Sequence, residues 1–395
     1  MPCGKRPHGY NLVMISFEDK LRTLREQGLL RQRRTVEGPQ EAVLAVDGTP
    51  LLAFASNDYL GLAHHPDLTR AAHQALDHYG LGAGASALIS GHSAPVAALE
   101  SALAHWLGQE RALHFSTGYM ANLGIIPALV GEGAAVFSDA LNHACLIDGI
   151  RLSRAAQVTI YEHGDVAQLE EALRQSSAPE KWIITDAVFS MDGDVAPLKA
   201  IVALAGQYDA RILVDDAHGF GVLGEEGRGT LSHLGIHSPR VVYMATLGKA
   251  AGVYGAFVAA SAEIVEWLVQ RARTYIFTTG TPPVLAAACL ASLSRIRQDE
   301  FRRERLRTLG ARLQEGLQSL PWPALPSVTA IHPVVLGDNF TVTRIADALR
   351  DRGLWVPAIR PPTVPEGAAR LRISLSANHR PEQIDRLLDA LRALA

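Results

Sequence analysis

The chain has 395 residues, with 37 Lys+Arg against 40 Asp+Glu for a formal net charge of −3, and is 48% hydrophobic and 19% charged. At about 150 residues per domain there is room for two or three lobes, and this composition excludes both a disordered chain and a small disulfide scaffold. The balanced charge lacks the clustered Lys/Arg excess that nucleic acid or an anionic membrane requires, and the three cysteines, Cys3, Cys145 and Cys289, are too scattered for a disulfide framework or a CxxC metal site, so a reducing cytoplasm is expected.

Residues 1–15 are irregular, and Met14 is a possible alternative start. The apolar piece 12–17 stops at Glu18-Asp19-Lys20 with no small-residue cleavage site, and no apolar run reaches the roughly 18 residues of a membrane helix, so neither a signal peptide nor an anchor is expected. Ser16, followed by Glu18 and Asp19, caps a helix whose Leu21, Leu24, Leu29 and Leu30 fall near one face. Residues 42–46 and 51–55, joined through Asp47-Gly48, read as a hairpin. The small-residue stretch 80–91 (GLGAGASALISG) is either a plain flexible loop or a place of close backbone approach. A helix with Leu99, Leu103, Trp106 and Leu107 ends at Gly108.

Short apolar strands then alternate with helices: 112–115, 134–138, 158–161, 182–189, 211–214, 241–245 and 254–259. That alternation predicts an α/β fold with a mostly parallel sheet covered on both faces, whose ligands bind outside the carboxyl ends of the strands. After Pro282-Pro283 one long helical region reaches residue 320; its basic stretch 301–312 includes Glu304 and reads as a solvated helix face. PWPALP marks a linker, and the tail alternates strand 328–336, helix 343–352, strands 354–359 and 370–375, and helix 381–394, a compact α+β lobe. The expected division is an N-terminal arm over 1–55, a large α/β domain over 56–290 and a small C-terminal α+β domain over 291–395.

Four strings can carry chemistry. In RILVDDAH (211–218) a strand delivers Asp215 to its carboxyl end, where a carboxylate holds a positive charge on a ligand and His218 reaches the same ligand; a strand-end Asp equally often caps the next helix. In MATLGKAAG (244–252) Lys249, flanked by Gly, Ala and Leu, suits a desolvated imine-forming amine, although an isolated lysine is ordinarily a surface residue. STGYMAN (116–122) points free N–H groups and a positive helix end at an anion, or is a helix cap with no ligand. His143, after Asn142, either stacks on a planar ring or is a satisfied buried histidine. Taken together they describe one ligand with a phosphate, a flat ring, a protonated ring nitrogen and a carbonyl captured by lysine: pyridoxal 5'-phosphate.

The chain resembles the aminotransferase-like superfamily and, within it, the α-oxoamine synthases, from about residue 16 to the C-terminus. The resemblance rests on SNDYLGLAHHP (56–66), VFSMDGDVAPL (188–198), VDDAHGFGVLGEEGRG (214–229), TLGKAAG (246–252) and AIRPPTVPEGAARLRISLSANH (358–379). It implies that Lys249 holds the cofactor covalently and moves the α-proton, that Asp215 keeps the ring nitrogen protonated, that His143 stacks on the ring, and that Ser190 and His218 contact its phenolic oxygen. Gly118, Tyr119 and Thr246 are implied as phosphate ligands, and Thr278 and Thr279 as residues reaching the phosphate of a neighbouring subunit, hence a homodimer. Arg360 with Asn57 is the implied clamp for an amino-acid carboxylate, and Thr363 and Arg31 lie along the acyl substrate; a solvated helix end is the alternative for Arg31.

The last string points to the pimeloyl-using branch, and so to an acyltransferase that joins L-alanine to a pimeloyl thioester, on coenzyme A or a carrier protein, with loss of carbon dioxide. A sibling using glycine or serine, an aminotransferase, a catalytically silent subunit and a cofactor-free binding protein are the rival readings; Lys249 argues against the silent subunit. Asp186 where the family usually has Glu, Val96 where a His is common and Phe220 where a smaller residue is common are departures from the pattern.

Overall fold

The computed structural model describes residues 16–395; Cys3 and Met14 lie outside the described residues. The first helix spans Phe17–Glu26, with Ser16 Oγ accepting from the Asp19 N–H at 3.1 Å, and none of its residues is buried. The hairpin forms from Val43–Val46 and Thr49–Ala53, turning through Asp47 and Gly48 at φ +48° and +77°, the left-handed pair that two-residue hairpin turns demand. Val36–Glu37 pairs on one side of it and Leu354–Trp355 runs parallel on the other, so a segment from the far end of the chain completes this sheet. The strand expected over 354–359 is therefore two: Pro357, which has no N–H for a ladder, separates Leu354–Trp355 from Ala358–Ile359, and the second piece pairs elsewhere, with Ala369–Ser374.

The central sheet has seven strands, ordered Arg111–Phe115, Ala256–Ala260, Val241–Thr246, Arg211–Asp215, Lys181–Asp186, Ala135–Asp139 and Gln157–Tyr161. The last five are mutually parallel, and Ala256–Ala260 is antiparallel to both neighbours. Strands such as Val241–Thr246 are buried along their whole length, because helices cover both faces; this is why the sequence reads as continuous apolar runs rather than alternation. Parallel register brings Asp139, Asp186, Asp215 and Thr246 to one edge, with Asp186 directly opposite Asp215.

Strand 182–189 ends earlier than expected, at Asp186, and the chain doubles back as a clip closed by a Val188–Val195 bridge. The long helical region is broken at Asp299 (φ −94°, ψ 56°) into Pro283–Gln298 and Glu300–Leu317. Ile331–Gly337, Ala369–Ser374 and Ala358–Ile359 form the antiparallel C-terminal sheet, and the helix Pro381–Arg392 buries Ile384, Leu387, Leu388 and Leu391. The stretch 80–91 turns out to be a place of close approach: a Cβ on Gly280 would sit 2.5 Å from the Gly91 carbonyl oxygen, and Ser86 bridges Thr279. Among the described residues no helix is long and apolar enough to cross a membrane.

Candidate active site

Lys249 follows the strand Val241–Thr246 in a turn of small residues, and its Nζ lies 3.0 Å from Nε2 of His218. Burial lowers the pKa of its amine, and the neighbouring carboxylates of Asp215 and Asp186 oppose that shift. The amine thus feels the charge of two carboxylates yet is drawn toward the neutral form that attacks carbonyls. Asp215, at the end of its strand, accepts from Asn122 Nδ2 at 2.7 Å on one oxygen and from the Ala217 N–H at 3.0 Å on the other. Asn122 comes from the helix Gly118–Leu129, so the carboxylate is oriented by two elements.

His143 caps the helix Ala144–Leu152, its Nδ1 accepting from the Cys145 N–H at 3.3 Å, and its own N–H donates to Asp186 Oδ2 at 2.7 Å. Asp186 is the acidic departure from the family wording, and the shorter side chain is long enough to hold His143 by its backbone. Burial, then the charge of Asp215, pushes the Asp186 carboxyl well above the usual range. Burial lowers the imidazole pKa of His143, which favours the neutral ring suited to stacking. Phe220, another departure, packs its ring edge against Trp106 and Phe257, with centroids 5.4 and 5.1 Å away, so its bulk goes into the core. Val96 is likewise buried there.

At the other end of this space, Thr117 caps Gly118–Leu129 by accepting from the Met120 N–H, and the helix begins at Gly118 and Tyr119. A Cβ on Gly118 would stand 3.2 Å from Met244 Cε and 3.9 Å from Thr246 Cβ. A helix N-terminus beside a threonine hydroxyl is a donor set that suits a phosphate. Thr246 Oγ1 donates to the Gly255 carbonyl at 2.8 Å, which orients it. The Tyr119 hydroxyl donates to Asp148. With a half-buried amine, a buried carboxylate, an imidazole and this cradle ranged along one sheet edge, the residues present fit pyridoxal phosphate.

The arginine that joins this group is Arg372, which the sequence strings contain but which was not singled out. It is 6% exposed, and it donates to the Ser190 carbonyl at 2.5 Å, Asn57 Oδ1 at 3.2 Å, Ser374 Oγ at 2.7 Å and Tyr59 Oη at 3.3 Å. Tyr59 Oη in turn lies 2.7 Å from His218 Nδ1. A continuous path of side chains therefore joins Arg372 to Lys249. The available signal was the strand Ala369–Ser374, in which Arg370 and Arg372 alternate with apolar residues yet are buried, an arrangement that charged residues adopt only when partnered. Arg360 lies elsewhere: it donates to the Gly28 carbonyl, and it feels the charge of Arg31, whose Nη2 is 3.4 Å from Thr363 Oγ1. Thr278 and Thr279 are half-buried and exposed beside the 80–91 stretch, and neither makes a hydrogen bond to the Lys249 group.

Fold and site define a class: the chain belongs to the aminotransferase class I and II family, whose model matches residues 49–391. It is an enzyme, dependent on pyridoxal phosphate and of the acyltransferase type. It is 57% identical to the 8-amino-7-oxononanoate synthase of Herminiimonas arsenicoxydans over 97% of this chain and 100% of that one, and 52% identical to that of Nitrosomonas europaea over 97% and 100%. Among solved structures it is similar to the serine palmitoyltransferase of Sphingomonas wittichii (TM-score 0.91, 32% identity, 98% of each chain). A further likeness is to the 8-amino-7-oxononanoate synthase of Francisella tularensis (TM-score 0.76, 30% identity, 87% of this chain and 97% of that one). The serine palmitoyltransferase of S. paucimobilis, solved with pyridoxal phosphate and myriocin, has a TM-score of 0.90 at 32% identity over 95% of each chain.

Proposed function

We propose that this protein condenses L-alanine with a pimeloyl thioester, releasing carbon dioxide and the free thiol and giving 8-amino-7-oxononanoate, a step of biotin synthesis in the cytoplasm. The observation that carries the reading is the path from Arg372 through Tyr59 and His218 to Lys249, with the Asp215 carboxylate beside the same amine. Bound pyridoxal phosphate supplies the electron sink that makes an amino acid's α-carbon nucleophilic.

The chain's own groups do the rest. Lys249 Nζ would hold the cofactor and, once alanine is bound, would remove and return its α-proton. Asp215 would keep the ring nitrogen protonated, His143 would stack on the ring, and Ser190 and His218 would contact its phenolic oxygen. The Gly118 and Tyr119 N–H groups and Thr246 hold the phosphate. For the amino-acid carboxylate, Arg372 with Asn57 is better placed than Arg360, being in contact with the path that ends at Lys249. Arg360, Arg31 and Thr363 then serve the acyl substrate, where two guanidinium groups suit the far carboxylate of a pimeloyl chain. Thr278 and Thr279 reach the phosphate of a second copy in a homodimer.

The reconstituted enzyme is tested with alanine, glycine and serine against pimeloyl-coenzyme A and a pimeloyl-carrier protein, with the amino ketone identified by mass. Alanine with a pimeloyl thioester gives the product; preference for glycine or serine, or transamination without carbon dioxide release, refutes the reading. Borohydride reduction followed by peptide mapping places the cofactor label on Lys249, and Lys249→Ala binds cofactor without turnover. Asp215→Asn keeps the fold and loses activity.

A further inference from the structure

The polar groups that meet at Tyr59 constrain where their protons lie. Arg372 has donors and no acceptor. Its Nη1 faces Asn57 Oδ1 at 3.2 Å and its Nη2 faces Tyr59 Oη at 3.3 Å. The first contact fixes the Asn57 amide, because the opposite orientation would set an NH2 against the guanidinium. Tyr59 Oη donates to that same Asn57 oxygen at 3.1 Å, the one role open to a phenol that faces an amide carbonyl. That proton is then spent. The contact of 2.7 Å between Tyr59 Oη and His218 Nδ1 must be donated by the histidine. Burial, with the charges of Lys249 and Arg372, pushes His218 well below its usual pKa, so the ring carries one proton. With that proton on Nδ1, the Nε2 lone pair points at Lys249 Nζ, 3.0 Å away, which is an N–H donor.

We infer that Tyr59 is a positioning residue: held by Arg372 and Asn57, it fixes His218 in the Nδ1–H tautomer and so presents the Nε2 lone pair to Lys249. The reverse tautomer takes the Tyr59 proton to His218, leaving the Asn57 and Tyr59 oxygens opposed without one, and turns an Nε2–H toward Lys249 that only the neutral amine accepts. Tyr59 is 1% exposed, so water cannot substitute for either partner. Phenylalanine keeps the ring packing and removes only the hydroxyl. The assignment of protons stands on the contact geometry and on the neutral ring of His218; its effect on turnover rests on the function proposed above, since the Arg372 end of the path is there the seat of the substrate carboxylate and the His218 end governs the proton that Lys249 exchanges.

The test uses full-length protein labelled with 15N-histidine and free of cofactor, in which long-range 1H–15N correlations report the tautomer of each imidazole. The His218 signals are recognised by their loss in His218→Gln. The expected result is an Nδ1–H pattern in the wild type that becomes Nε2–H or a mixture in Tyr59→Phe while the other histidines are unmoved. Asn57→Ala, which deprives the phenol of its acceptor, gives the same change by a second route and serves if Tyr59→Phe fails to fold. An Nε2–H pattern in the wild type, or an Nδ1–H pattern that survives both substitutions, overturns the inference. With cofactor restored, Tyr59→Phe lowers kcat on the order of tenfold, less than the roughly hundredfold or more that a proton-transferring group itself contributes, because Tyr59 only positions one. An Nδ1–H wild type that does not condense alanine with a pimeloyl thioester leaves the tautomer assignment standing and removes the proposed reaction.

Discussion

His163 illustrates what a single side chain settles in this protein. Its Nδ1 lies 3.0 Å from Asp139 and its Nε2 2.9 Å from Asp194, so both nitrogens donate and the ring is charged; the hydrogen bonds to Asp139 and Asp194 push its pKa up to about 10. Asp139 ends a strand of the central sheet and Asp194 belongs to the clip that carries Ser190, so this imidazolium fastens the clip to the sheet. A folded-state pKa above the unfolded value of about 6.5 means the folded protein holds more protons between those limits. The stabilisation is complete below pH 6.5 and is lost as pH rises toward 10. Urea midpoints of the wild type and His163→Gln are expected to differ most at pH 6 and to converge by pH 10; a constant difference across that range contradicts this role. The thiols are legible in the same terms. Cys145 and Cys289 are buried and burial raises both pKa values, so iodoacetamide at neutral pH is expected to label them in denaturant but not in the native protein. The sequence shows that these cysteines form no motif, and only burial shows that they are inert.

At the scale of elements, the site depends on how closely two helices approach. Gly118–Leu129 offers the phosphate cradle at its first residues, and Ala144–Leu152 begins just after His143. They meet at Gly149, where a Cβ would lie 2.7 Å from Ile126 Cδ1 and 2.9 Å from the Asn122 carbonyl oxygen. Gly149→Val therefore forces apart the helices that set the spacing between ring and phosphate. It is expected to cost about 1–3 kcal/mol, the usual range for overpacking a tight contact, and to weaken pyridoxal phosphate binding, measured by urea midpoint and by cofactor titration. Unchanged values would mean that the helices can separate without cost. The elements themselves were legible from apolar runs, caps and Gly/Pro punctuation, and six of the seven central strands lie within one or two residues of their expected limits. What went wrong has local causes: the first helix stops at Glu26, before Gly28 at φ +66°, so Leu29 and Leu30 lie beyond it; Pro357 divided one expected strand, Asp299 broke one expected helix, and the strand expected to reach residue 189 gave way to the clip.

For the whole molecule, the exposed side chains indicate an unfinished surface. Leu81, Ile89 and Phe277 are 71%, 80% and 71% exposed, and they lie on two segments joined by the Ser86–Thr279 bridge. Single exposed apolar residues are ordinary, whereas several on two bridged segments are the kind of patch that a second copy would cover. Sedimentation at micromolar concentration is expected to give a dimer, and Ile89→Asp to shift it toward monomer with loss of turnover. A wild type that is active as a monomer would remove Thr278 and Thr279 from the site.

By itself the sequence determined the strand-and-helix alternation, the apolar core, and the strand-end positions of Asp215 and Lys249, because periodicity, caps and turn residues act over a few positions of chain. It also contained Arg372 and Tyr59 within the strings that carry the family resemblance, without distinguishing them from their neighbours. Only the tertiary structure decided that these two, 313 positions apart, touch each other, that Arg372 rather than Arg360 adjoins the Lys249 group, and that Leu354–Trp355 completes the N-terminal sheet. The physical reason is that a hydrogen bond depends on distances of about 3 Å, and no local pattern in the chain specifies which distant segment the folded core will bring that near.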